Sequence, residues 1–354
     1  MSYTSIINCE ALQANLDAAW SDPRSWGGMQ TAYPYAEWIN APENRRLVVD
    51  AVSPGGGKLR TVTVKGMQTI SPTAVQNNVS NPNCAGEGTM AQFYKDYTID
   101  TTQNISFGLD FNVNDFIEAC EGNGAILAQA VARLIDALDE RVSHLIATQS
   151  VALAGGWAST VPVESGTALS GDKLQITKAT PRNYFSEITK IRNAADESNF
   201  PMESLLVGGS AIREAFQATQ AGCCASTGID LWEAMRLYGY AFAYDRHLIQ
   251  AHPDGQDGAM IVAPGALQLL HISLAPNLSE FGKTVMDAAN FTWNTVYSPR
   301  FGVPYDLTVS NNCGAIRLSL SFTGKMVSLP DDIYPAAHHL SGVNWAAMLE
   351  LVEA

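Results

Sequence analysis

Residues 114–153 read NDFIEACEGNGAILAQAVARLIDALDERVSHLIATQSVAL, and no other stretch of the chain constrains the architecture as strongly. Leu127, Val131, Leu134, Leu138, Val142 and Leu145 recur at three- and four-residue steps, with Ile126, Ile135 and Ile146 widening the stripe. That spacing places apolar side chains along one face of an α-helix. Asn114 or Asp115 can cap the start, because a short oxygen-bearing side chain accepts hydrogen bonds from the first orphan amides. At 1.5 Å per residue the helix would be roughly 50–60 Å long, several times an ordinary globular helix. Gly122 and Gly124 weaken its first third, where a kink or early break is expected.

Upstream the texture changes twice. Pro54-Gly55-Gly56-Gly57 reads as a hinge, and it opens a β-type strand over 58–65 with Leu59, Val62 and Val64. A turn-rich middle follows, and β-type sequence returns over 93–111. The simplest shape is a long two-stranded arm, which has too few apolar residues for its own core and needs a neighbour. Residues 1–57 hold one candidate helix from Cys9 to Trp20, then Pro and Gly interleaved with Trp20, Trp26, Tyr33, Tyr35 and Trp38. Pro and Gly at that density prevent long helices, and so many aromatics imply packing against something. That something is either another chain or this chain's own domain.

Downstream, residues 181–198 read as a second amphipathic helix and 204–208 as a short buried strand. Gly209-Ser210 leads into a helix through Phe216, with Ser210 as its N-cap, and another helix is expected over 231–237. Strands are expected at 240–244 and 259–263, with Pro264-Gly265-Ala266 starting a short helix. This alternation suggests a compact α/β module over 202–300. Two long strands, 305–309 and 315–329, and a Pro-bounded tail complete an α+β chain.

Composition narrows the function. The chain has 354 residues, 46% hydrophobic and 16% charged, enough for a large core in one large domain or two modest ones. With 35 acidic and 21 basic residues its net charge is −14, which argues against a nucleic-acid-binding surface. No targeting segment is read at the start, and nothing approaches the ~20 apolar residues of a membrane span, so a soluble protein is expected. The cysteines, at 9, 84, 120, 223, 224 and 313, form no CxxC pair and read as free thiols of a reducing cytoplasm.

Catalytic patterns fail one by one. Gly55-Gly56-Gly57-Lys58 is followed by Leu59 where a phosphate loop needs Ser or Thr. Gly208-Gly209-Ser210-Ala211-Ile212 lacks the final glycine of a nucleophile elbow. No histidine lies in a metal-binding spacing. Cys223-Cys224 with a distant His is the one conceivable nucleophile constellation, and packed thiols are its plainer reading. No catalytic, cofactor-binding or metal residue is assigned.

The order of elements resembles the Hong Kong 97-type major capsid proteins of tailed phages over residues 1–335. The resemblance rests on the arm, hinge, long helix and local textures such as 204–216, 259–270 and 301–329. It implies an N-terminal arm (1–57), an extended loop (58–110), a peripheral domain (111–201, returning at 301–354 with the C-terminal tail) with the spine helix 114–153, and an axial domain (202–300). It also implies a non-enzymatic shell subunit that forms hexamers and pentamers with copies of itself. The shell would be a phage head enclosing double-stranded DNA, assembled in a bacterial host's cytoplasm, with portal, scaffold and decoration proteins as possible partners and no membrane. No N-terminal scaffolding segment is read. An encapsulin-type shell around protein cargo is the alternative within the fold, and a cysteine-dependent hydrolase the alternative outside it.

The expected contacts between copies are charged and aromatic. The strand with Lys58, Arg60 and Lys65 has no acid, whereas residues 114–149 carry Asp115, Glu118, Glu121, Asp136, Asp139 and Glu140 against Arg133 and Arg141, a net charge of 2 − 6 = −4. Lys58, Arg60 and Lys65 are candidates to meet acidic surface such as Glu118 and Glu121 of a neighbour, and solvated faces are the competing reading. Trp20, Trp26 and Trp38 are the aromatic candidates.

Overall fold

The computed structural model describes residues 33–45, 47–54, 59–67, 92–112, 125–155, 157, 166–171, 173–178, 184–198, 200–201, 203–215, 241–273, 291–312, 315–328 and 345–353. The described chain begins with a seven-residue helix, α1 (Pro34–Asn40). Proline at the first helical position costs no hydrogen bond and presets φ. Tyr33, Tyr35, Ala36 and Ile39 are buried in the chain's own core, so this part of the aromatic segment packs on its own domain.

Next come β1 (Val48–Pro54), β2 (Leu59–Met67) and β3 (Gln92–Asp100), an antiparallel sheet in the order β1-β2-β3. The expected two-stranded arm is thus three-stranded, and its extra strand comes from residues assigned to the N-terminal arm. The arm also ends earlier than residue 110. Asp100 Oδ1 accepts from both the amide and the hydroxyl of Thr102, a side chain acting as a turn's backbone. The strand after that turn, β4 (Ile105–Asn112), leaves the arm for another sheet.

The long helix, α2, spans Ala125–Leu153, 29 residues or about 44 Å. The expected start near 114 lies outside the described residues. Along the stripe Val131, Leu134, Ile135, Leu138, Val142 and Ile146 are all 4% exposed or less, as the periodicity requires. Beyond it run the hairpin β5 (Thr167–Ser170) and β6 (Lys173–Thr177), α3 (Tyr184–Glu197), and β7 (Leu205–Gly208). A helical segment at 210–215 precedes β8 (Ala241–Tyr244), α4 (Arg246–Ala251) and β9 (Gly258–Val262). The remaining strands are β10 (Leu267–Ile272), β11 (Phe291–Tyr297), β12 (Pro304–Asn312), β13 (Ala315–Ser328) and β14 (Ala346–Val352).

Two sheets form the body. One is antiparallel, β10-β13-β12-β11, with β4 paired beside β10 along the same long strand β13. The other is mixed, β5-β6-β14-β9-β7-β8. A single hydrophobic cluster runs through both sheets and takes in Leu138 of α2 and Ile188 of α3. The expected module at 202–300 is therefore not self-contained: β10 and β11 pair with later strands, while β5, β6 and β14 join β7, β8 and β9. Of the C-terminal tail, Ala346–Val352 is a strand in the interior of the mixed sheet.

Two local readings are corrected. Pro264-Gly265-Ala266 starts no helix. Gly265 has φ +76° and the amide of Ala266 bonds back to the Ala263 carbonyl, so the chain turns from β9 into β10. In β10, Leu267 faces the main core whereas Leu270 and Ile272 face the arm, the two-residue alternation of a strand between two layers. Nor does Ser210 cap the helix it begins. The Gln256 Oε1 accepts from the Ser210 amide at 2.9 Å. A side chain on Gly209 would strike the backbone of Gln256, so a residue without Cβ lets that loop approach.

Candidate inter-subunit surface

The arm sheet has two unlike faces, because cross-strand neighbours point the same way. Val62 opposes Val52 and Tyr97, and Val64 opposes Val49 and Lys95. On this face Val62, Val64 and Ile99 are buried against Leu47, Leu270, Ile272 and Val327. Tyr97 lies over the same cluster and donates to the Ser328 carbonyl at 3.2 Å; burial pushes its hydroxyl up to about 12. The cluster therefore stitches the middle of the arm to β10 and β13.

It does not cover β1. Val48, Val49 and Val52 are 56%, 45% and 42% exposed on this strand at the sheet's edge. Leu59 and Tyr94 are also exposed, so five of the seven large hydrophobics exposed among the described residues lie on this one sheet. A groove of about 380 Å³ at the base of the arm runs between Ile99 and Gln103, α2 at Leu145, Gln149 and Leu153, and Met326 of β13.

The charges of the arm are largely answered within it. Lys65 Nζ lies 2.6 Å from Asp50 Oδ1 on β1, and that hydrogen bond raises the lysine's pKa. Thr63 donates to Asp96 at 2.6 Å, and Lys95 sits 5.5 Å from the centre of the Tyr97 ring. Arg60 donates to the Leu59 carbonyl at 3.1 Å. The three described strands hold Arg60, Lys65 and Lys95 against Asp50, Asp96 and Asp100, a net charge of 3 − 3 = 0. The strand β2 is basic, but the sheet is neutral.

Of the other expected contact residues, Trp38 is partly buried against the chain's own core. Lys58, Trp20, Trp26, Glu118 and Glu121 lie outside the described residues, as do all six cysteines and the helix expected over 231–237. The exposed valines lie outside the residues expected at the contact, although Val48-Val49-Asp50-Ala51-Val52 carries the β-branched signal. Assigning these residues to the aromatic arm hid it. The string of acids on the long helix also conceals a residue of another kind: Asp139 is wholly buried. Among the described residues no group of three or more His, Cys, Asp or Glu is placed to hold a metal, and no helix is long and apolar enough to cross a membrane.

No protein-family model and no curated protein sequence matches this chain. Solved structures do. The capsid of Myoviridae phage XM1 aligns over 88% of this chain and 90% of its own, with 8% identity and a TM-score of 0.40. The capsid of cyanophage A-1(L) aligns over 90% and 92%, with 10% identity and a TM-score of 0.47. A virus-like particle from Pyrococcus furiosus aligns over 96% and 98%, with 10% identity and a TM-score of 0.37. Likeness at this level assigns no role to any residue.

Proposed function

We propose that the chain is a structural shell subunit of the Hong Kong 97 type, a major capsid protein that works as many identical copies and not as an enzyme. The observation that carries the reading is the arm sheet. It is tied to the body through one face of β2 and β3 while its edge strand β1 offers Val48, Val49 and Val52 to solvent. Exposed apolar side chains along a sheet edge mark a protein–protein contact, and a second copy of the chain is the partner always present at matching concentration. In this reading the neighbour covers β1, with Arg60 at the rim of the same contact. The shell is a phage head built of hexamers and pentamers around double-stranded DNA, with portal, scaffold or decoration proteins added to it. A net charge of −14 suits a wall that confines DNA without gripping it.

The test is size and contents. Full-length protein, purified from the bacterial cytoplasm, should elute as oligomers and show rings or closed shells by negative-stain microscopy. A monomer at all concentrations would overturn the proposal. DNA in shells from infected cells supports the phage-head form, whereas a protein cargo would replace it with an encapsulin-type compartment.

A further inference from the structure

Asp139 sits on α2, three residues after Asp136 and one turn from Val142, and is wholly buried. Its carboxyl accepts from the Tyr305 hydroxyl of β12 at 2.5 Å and from the Ser298 hydroxyl at 3.2 Å. Ser298 organises the turn between β11 and β12. Its amide donates to the Val303 carbonyl, its own carbonyl accepts from Gly302, and its hydroxyl accepts from the Phe301 amide. One carboxyl therefore joins the long helix to a turn and a strand of the antiparallel sheet.

The groups around it are these. From α2 come Asp136, which pairs with Arg300 of the turn at 3.0 Å, then Glu140 and His144. Tyr33 lies under the Arg300 guanidinium at 5.2 Å and stacks on His247 of α4 at 5.7 Å. His144 meets His247 edge-on, and Arg246 pairs with Glu140 at 2.7 Å. Asp245 caps α4. Among the described residues the cation that acts on Asp139 is Arg300, which is shared with Asp136.

We propose that Asp139 is a proton-operated clamp between α2 and the β11–β12 turn, tight when its carboxyl is protonated and slack when it is charged. A charge here gains two hydroxyl donors and the attraction of Arg300, but loses bulk water. Desolvation wins, and the carboxyl is pushed up from 3.8 to about 7 despite Tyr305 and Ser298. Separating helix and turn admits water and restores an ordinary acid. The closed form then holds a proton that the open form has lost between about pH 4 and 7, so opening becomes easier across that window and levels off above it. His247 works in the other direction. Burial lowers its pKa below 6.5, so its contribution is lost as pH falls through that value. The clamp does not depend on the shell reading.

The experiment is amide hydrogen exchange at Phe301 and Gly302 in the full chain from pH 5 to 8.5, corrected for intrinsic base catalysis. Opening should rise to about pH 7 and then flatten, by roughly tenfold per pH unit less the opposing titration of His247, which subtracts from the slope below pH 6.5. Asp139→Asn should abolish that rise and leave only the acid-side effect of His247. Tyr305→Phe removes a donor to the charged form, so its plateau should move to higher pH. A parent profile that coincides with that of Asp139→Asn, a slope that survives in Asp139→Asn, or a plateau unmoved in Tyr305→Phe would each overturn the proposal. If Asp139→Asn does not fold, the parent and Tyr305→Phe profiles still decide it.

Discussion

Gly209 and Gln256 show how a single missing side chain positions a loop. The Gln256 side chain caps the helix at 210–215 by accepting the Ser210 amide, and its backbone occupies the space that a Cβ on Gly209 would need. Gly209→Ala should therefore destabilise the fold by about 1–3 kcal/mol, the cost of forcing backbone apart in a packed region. Gln256→Ala loses a cap and should cost about 0.5–2 kcal/mol. Urea unfolding of both variants checks the order, and a Gly209→Ala chain as stable as the parent would mean that the loop moves freely. The Gly-Gly-Ser signal correctly placed the start of a helix. It could not show that the capping oxygen comes from 46 residues away, because capping partners distant in sequence leave no local pattern. Asp139 was more legible than its reading as surface charge allowed. It lies four residues after Ile135 and three before Val142, both fully buried, and an acid in step with an apolar stripe faces the core.

Elements were legible where local periodicity matched their final environment. The stripe of α2 and the long strands β12 and β13 follow the pattern because each buries one side or both against the same core. Strands β10 and β14 were missed for a shared reason: short alternating segments are specified by neighbours remote in sequence, and no period reports those. β14 lies between β6, which it joins in parallel, and β9, which it joins antiparallel. Leu349 is wholly buried there, the Trp157 indole donates to the Met348 carbonyl at 2.6 Å, and the Gly155 amide donates to Ala346. Strand β14 thus ties the end of α2 to both halves of the mixed sheet. Along the sheet, Lys173 bridges Asp254 and Glu350, and Lys178 bridges Asp257 and Glu353. Leu349→Asp should cost more than about 4 kcal/mol by burying a charge without a partner, and should leave the chain insoluble. Glu353→Gln removes one exposed end of a bridge that Asp257 still completes, and should change stability by less than about 1 kcal/mol. Soluble yield and thermal melting of the pair separate a structural last strand from a dispensable tail.

At the scale of the whole molecule, the proposed shell raises the question of what would hold copies together. The sequence suggested charge, because β2 carries Lys and Arg without an acid. In the fold, β1 and β3 bring Asp50 and Asp96 beside it, and the sheet becomes neutral. Reversing Lys65 would then break a pair within the subunit before it tested any contact outside. The apolar edge is the better handle. Val48, Val49 and Val52 retain 42–56% of their surface in the isolated chain, and covering such surface is worth about 25 cal/mol per Å². Threonine has valine's shape and strand preference, so Val48→Thr, Val49→Thr and Val52→Thr together should leave the arm folded. If neighbouring copies cover this edge, the triple variant should assemble poorly while circular dichroism and melting stay close to the parent. The salt response separates the two forces. Contacts made by exposed charge weaken as ionic strength rises, whereas an apolar contact is strengthened by sulfate. Parent assembly that grows with sulfate and fails in the triple variant assigns the contact to the valines. Shells that form equally well from the triple variant, or that dissolve in moderate salt, would return the contact to charge and to residues other than β1.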